Sequence, residues 1–255
     1  MEKKSIYMMF FILGLLIFPG KLALELTNPV MIKALWFVIS YVFVIFIMMV
    51  ISSKKRLVSK SFHPTKNVLL SSISLLCSGT CAWSAYSYFQ SIKPKDLKVQ
   101  YSLLMVFCAL SALFFIFVSK AHLSGENSFK GFQLLLFALP AMYLFLISVF
   151  FSTEIGKHDM YDFFSKALTL LFFVYYTQNY VSFKDVEHKR NRMVTFGLPA
   201  SLVTFGYFFS HINSSPFGSA IYVSNIMNVS ISLYIISFLL TGPLAMNDQL
   251  EPAKA

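Results

Sequence analysis

From Met193 to Asn247 the chain contains no aspartate, glutamate, lysine or arginine. Formal charge is scarce elsewhere too: 13% of the 255 residues are charged, against roughly 25% in an ordinary soluble domain. A water-soluble fold needs a wetted surface, and this chain has too little polar material to make one around a single core. Cysteine is also rare. The three thiols, Cys77, Cys81 and Cys108, all fall within apolar runs, where they read as small hydrophobes and not as a disulfide framework or redox pair. Net charge of one sign is present, at +10, but it sits in short clusters between apolar runs. It therefore reads as loop charge that orients a membrane protein, and no nucleic-acid partner is expected.

The catalytic vocabulary is equally thin. The sequence holds no His-Glu-x-x-His helix, no Gly-x-Ser-x-Gly elbow and no phosphate-cradling Gly-Lys-Ser/Thr loop. No apolar run carries two histidines able to ligate a haem from opposite sides. The last apolar run has no lysine for a Schiff base. No carboxylate stands near the centre of a run, so a proton-relay pump is not indicated. No cofactor is expected. The nearest approach to acid–base or metal chemistry is the loop group Glu154, His158, Asp159 and Asp162, with His211 across a later loop.

What remains is hydrophobic: 57% of the residues, with 29 Phe and 12 Met. A hydrocarbon layer of about 30 Å takes about 20 helical residues to cross. The uncharged runs predict an all-α, polytopic transmembrane helical bundle, a single integral membrane domain over residues 1–255. Spans are placed at 5–26, 34–53, 68–91, 100–119, 131–152, 164–183, 193–211 and 219–241, eight in all. The first resembles a signal peptide, with Lys3 and Lys4 ahead of an apolar stretch, and its removal leaves seven. With the N-terminus inside, 14 of the 21 Lys and Arg residues are cytoplasmic and 7 are external. This favours cytoplasmic N- and C-termini, although Lys93, Lys95 and Lys98 run against it. Phe- and Ile-rich usage suggests a bacterial cytoplasmic membrane.

Polarity at depth is uncharged. In the third predicted span, Ser71, Ser74, Ser78 and Cys81 recur at steps of three and four, on one helical face. In the eighth, Asn225, Asn228 and Ser232 do the same, and Ser78 and Asn228 both fall near mid-membrane. Such stripes either close helix seams or line a midplane pocket made of Ser74, Ser78, Asn225, Asn228 and Ser232. Pro140 and Pro199 each fall inside a span and are expected to kink it. The loop Lys184–Arg192, with Lys189, Arg190 and Arg192, has the mixed charge of a cytoplasmic docking segment for a protein partner.

These observations favour a non-enzymatic multi-pass membrane protein, a subunit, sensor or accessory component acting through helix packing with a partner in the lipid bilayer. A small permease for a neutral or weakly polar solute is the alternative. A lipid-modifying enzyme using the external His and carboxylates is the third reading.

Overall fold

The computed structural model describes residues 66–92, 99–125, 136–152, 160–181, 187–211, 217 and 219–241. They form helices α1 (Val68–Ser91), α2 (Val99–Ser124), α3 (Leu139–Ser152), α4 (Met160–Val181), α5 (Glu187–His211) and α6 (Ala220–Thr241), and no strand occurs among them. The predicted spans 5–26 and 34–53 lie outside the described residues, as do Lys93, Lys95, Lys98, Glu154, His158 and Asp159. Three helices are long and apolar enough to cross a membrane: Val68–Ser91, Val99–Ser124 and Tyr222–Thr241. Their outward faces agree with that setting. Along α2, Leu103, Val106, Leu113, Ile116 and Leu123 are exposed, and along α1, Leu75, Leu76, Tyr86 and Phe89. Strips of this length would be unfavourable in water and suit hydrocarbon.

Each helix packs on its successor, and α6 returns to α1, so the six close into a ring. Side-chain bonds show that neighbours run antiparallel. The Ser71 and Ser119 hydroxyls bond at 2.8 Å near the start of α1 and the end of α2. Thr80 and Ser230 bond at 2.6 Å between α1 and α6. Ser165 and Thr204 bond at 2.5 Å between α4 and α5. One end of the ring, where α1 begins, is called here the Asn67 end; the other, where α1 stops, the Ser91 end.

Asn67 fastens its end. Its side-chain oxygen caps α1 by accepting from the Leu70 N–H at 3.2 Å. Its amide nitrogen donates to the Thr241 carbonyl at 3.2 Å and to the Thr241 hydroxyl at 3.1 Å, tying down the last residue of α6. Its backbone N–H donates to the His122 carbonyl of α2 at 2.8 Å. One residue thereby joins three helix ends. Gly125 terminates α2 beside it with φ +74°, in the left-handed region that glycine occupies without penalty. A Cβ there would also stand 3.2 Å from the Lys66 Cβ.

Several boundaries differ from those the sequence predicts. The third predicted span coincides with α1, but α2 continues to Ser124 and buries His122 against the Tyr234 and Phe238 rings. Helix α4 starts at Met160 and so includes Asp162 and Lys166. Helix α5 starts at Glu187, which places Lys189, Arg190 and Arg192 in a helix and not in a loop. Pro140 does not interrupt a helix. Residues 136–138 form a 3-10 turn and α3 begins at Leu139, so Pro140 stands in the first turn, where the missing N–H has no intrahelical acceptor to lose. Pro199 is inside α5, as predicted.

Candidate functional site

The ring interior divides along its length into an aromatic half and a hydroxyl-rich half. Toward the Asn67 end, rings from α2, the turn before α3, α4 and α6 fill the centre. Phe114 meets Phe137 edge-on with centroids 5.3 Å apart, Phe115 meets Tyr234 at 5.6 Å, and Tyr176 meets Phe238 at 5.1 Å. Phe114, Phe115, Phe137, Phe172, Phe173, Tyr176, Tyr234 and Phe238 are all fully buried. Edge-to-face pairs of this kind add to the stabilisation from burial alone. The phenols of Tyr176 and Tyr234 bond to each other at 2.8 Å across the ring, which satisfies both hydroxyls without water.

Toward the Ser91 end the same interior becomes polar. The Tyr88 and Tyr143 hydroxyls bond at 3.4 Å, with the Ser224 hydroxyl and the Cys108 thiol beside them. Above them lies a buried ion pair: the Lys166 ammonium donates to the Asp162 carboxylate one turn earlier on α4. The pair is 3% and 8% exposed. Helical register explains its direction. Lys166 and Phe173 are seven residues apart and share a face, and Phe173 belongs to the aromatic interior. Apolar runs alone missed this pair because a sixth span started at residue 164 contains Lys166 but leaves out Asp162. Mutual neutralisation at i, i+4 spacing lets the helix begin earlier and carry both charges inward. The described bundle therefore holds one buried ion pair in the first two turns of α4.

The bonds that join α1 and α6 come from residues outside the two predicted stripes. The seam between α1 and α6 is made by Thr80, Cys77 and Ser230: the Cys77 thiol donates to the Ser230 carbonyl at 3.1 Å, and the Thr80 and Ser230 hydroxyls are bonded. Ser78 stands two residues from Thr80, and Asn228 two residues from Ser230. On a helix two residues differ by about 160° around the axis, so each stripe turns away from this seam. Ser71 and Ser78, seven apart, face α2, where Ser71 meets Ser119. Ser74 is fully buried and donates to the Leu70 carbonyl of its own helix at 2.7 Å. Asn225, Asn228 and Ser232 are buried, and Ser201 of α5 donates to the Ser232 backbone carbonyl at 3.3 Å. Gly197, on the same side of α5, lets the helices approach; a Cβ there would lie 3.0 Å from both Ile235 and Leu239.

The other predicted site residues divide between the described and undescribed parts. Arg192 is exposed and already engaged, donating to the Tyr175 hydroxyl at 3.2 Å with its guanidinium 5.5 Å from that ring's centroid. Lys189 and Arg190 occupy the first turn of α5. Of the external His and carboxylate group, Asp162 is held by Lys166, and Glu154, His158 and Asp159 lie outside the described residues. Among the described residues no three His, Cys, Asp or Glu side chains converge as a metal site. Sequence reasoning missed Asn67, His122, Thr80, Ser230 and the Asp162–Lys166 pair. Only the last carried a signal, the i, i+4 spacing of opposite charges at the mouth of an apolar run. Comparison with protein-family models, with curated proteins and with solved structures gave no match.

Proposed function

We propose that this chain is an eight-span protein of a bacterial cytoplasmic membrane, with both termini on the cytoplasmic side. In this reading it is a non-enzymatic subunit, sensor or accessory component that works by packing against a protein partner. One observation carries the reading: the polar side chains distributed along the helices join neighbours to one another. Ser71–Ser119, Thr80–Ser230 and Ser165–Thr204 close seams, and Tyr176–Tyr234 crosses the interior. These contacts support a rigid scaffold, and the apolar face of α1 and α2 is exposed among the described residues. The test is photo-crosslinking in the native membrane from Leu75, Leu113 and Ile116. One discrete protein adduct that recurs at adjacent positions is expected. Lipid adducts alone at every position would sink the partner reading.

The permease reading has separate support in the polar interior at the Ser91 end, which topology makes the external side. The orientation is tested by Ser91→Cys and Ser61→Cys with a membrane-impermeant thiol reagent. Labelling of Ser91→Cys from outside and of Ser61→Cys only after permeabilisation is expected, and the opposite pattern reverses the topology.

A further inference from the structure

We infer that the interior of the ring at the Ser91 end is a binding site for a small, uncharged, hydrogen-bonding solute carrying hydroxyl or amide groups. The inference goes beyond the partner-packing reading and holds whether or not a partner exists.

The first support is a pair of hydroxyls with nothing to bond. Ser84 on α1 and Ser111 on α2 are 1% and 2% exposed, and neither side-chain oxygen has a hydrogen-bond partner. A buried polar atom left unsatisfied is unfavourable, and native interiors usually supply a protein group, a water or a ligand. Other buried serines of this bundle find acceptors on their own helices or across a seam, as Ser74, Ser201 and Ser230 do. Ser84 and Ser111 have none, as is also true of the Ser232 hydroxyl on α6.

The second support is where they point. Ser84 is one turn from Tyr88, and Ser111 is three residues from Cys108 and four from Phe115, so both share the interior faces of their helices. The Tyr88 and Tyr143 phenols and the Ser224 hydroxyl stand in that same half. Hydroxyls and phenols both donate and accept, and so match a solute that does the same. The aromatic half closes the far side with Phe115, Phe173 and Tyr176, which limits depth and solute size.

The third support is charge. The only described ion pair in this interior, Asp162 with Lys166, sums to zero. A charged solute entering there would lose its hydration without a counter-charge to replace it. An uncharged solute meets no such penalty.

Saturation-transfer NMR on the purified full chain in micelles tests this directly, using ethylene glycol, acetamide, glycine and acetate as probes. Transfer to ethylene glycol and acetamide is expected, with none to acetate. In Ser84→Ala/Ser111→Ala the transfer should fall at least fivefold while the melting temperature is kept or raised, since two unpaired hydroxyls are removed. If the double variant does not fold, each single variant is read alone, with a partial loss expected in both. Transfer that survives these substitutions, transfer only to glycine or acetate, or no transfer at all overturns the proposal.

Discussion

The two halves of the ring interior are built from the same six helices yet solve opposite problems. At the Asn67 end, aromatic rings interlock and the Tyr176 and Tyr234 phenols bond to each other. At the Ser91 end, an ion pair, two phenols and several hydroxyls share the space, and Ser84 and Ser111 remain unpaired. The difference teaches that one end is a closed core whose role is cohesion. The other holds polarity that packing alone does not require. Ion pairs in apolar surroundings give little net stability compared with hydrophobic replacements, so their presence calls for another reason.

That contrast can be broken most severely at Lys166. Lys166→Leu leaves the Asp162 carboxylate buried without its counter-charge and should cost roughly 3–5 kcal/mol. In Asp162→Leu/Lys166→Leu most of that loss should return. Thermal unfolding of the wild type, the single and the double variant checks this, and a double variant as unstable as the single one would mean the pair itself holds the fold. A second strong effect is expected in the closed half at Gly197, where a Cβ would come within 2.8 Å of Phe172. Gly197→Val should overpack the α4, α5 and α6 junction, lowering stability by about 1–3 kcal/mol, read by the same melts.

Smaller effects sharpen the comparison. Asn67→Ala removes the α1 cap together with both bonds to Thr241 and should cost about 1–2 kcal/mol. Hydrogen exchange should show fraying confined to the Asn67 end. Tyr176→Phe deletes the cross-ring hydrogen bond but keeps the ring and its edge contacts, so a loss near 0.6 kcal/mol is expected. A much larger loss would mean the phenol pair, and not aromatic packing, closes that half.

Legibility differed by element. Helix α1 was placed at its observed limits because an uncharged run bounded by Asn67 and Lys93 leaves little freedom. The start of α4 was misplaced because a residue-by-residue count treats Asp162 and Lys166 as two costs, whereas in space they are one neutral pair. His122 fell outside the predicted span because Lys120 ends the uncharged run, and only the aromatic walls of α6 show why a histidine belongs inside. The polar stripes lie buried on α1 and α6, but one sequence cannot say which neighbour each face meets.

The sequence by itself determined the class of this protein: helices of spanning length, an apolar exterior and interior polarity confined to particular faces. Those follow from composition and the 3.6-residue period, which are local properties. The tertiary structure decided the rest. It set the Ser71 hydroxyl against Ser119 of α2 and the Ser232 carbonyl against Ser201 of α5, gathered the aromatic rings at one end, and paired Asp162 with Lys166 and Tyr88 with Tyr143 toward the other. Those outcomes depend on the order and rotation of helices around the ring, which long-range contacts set and no local pattern encodes.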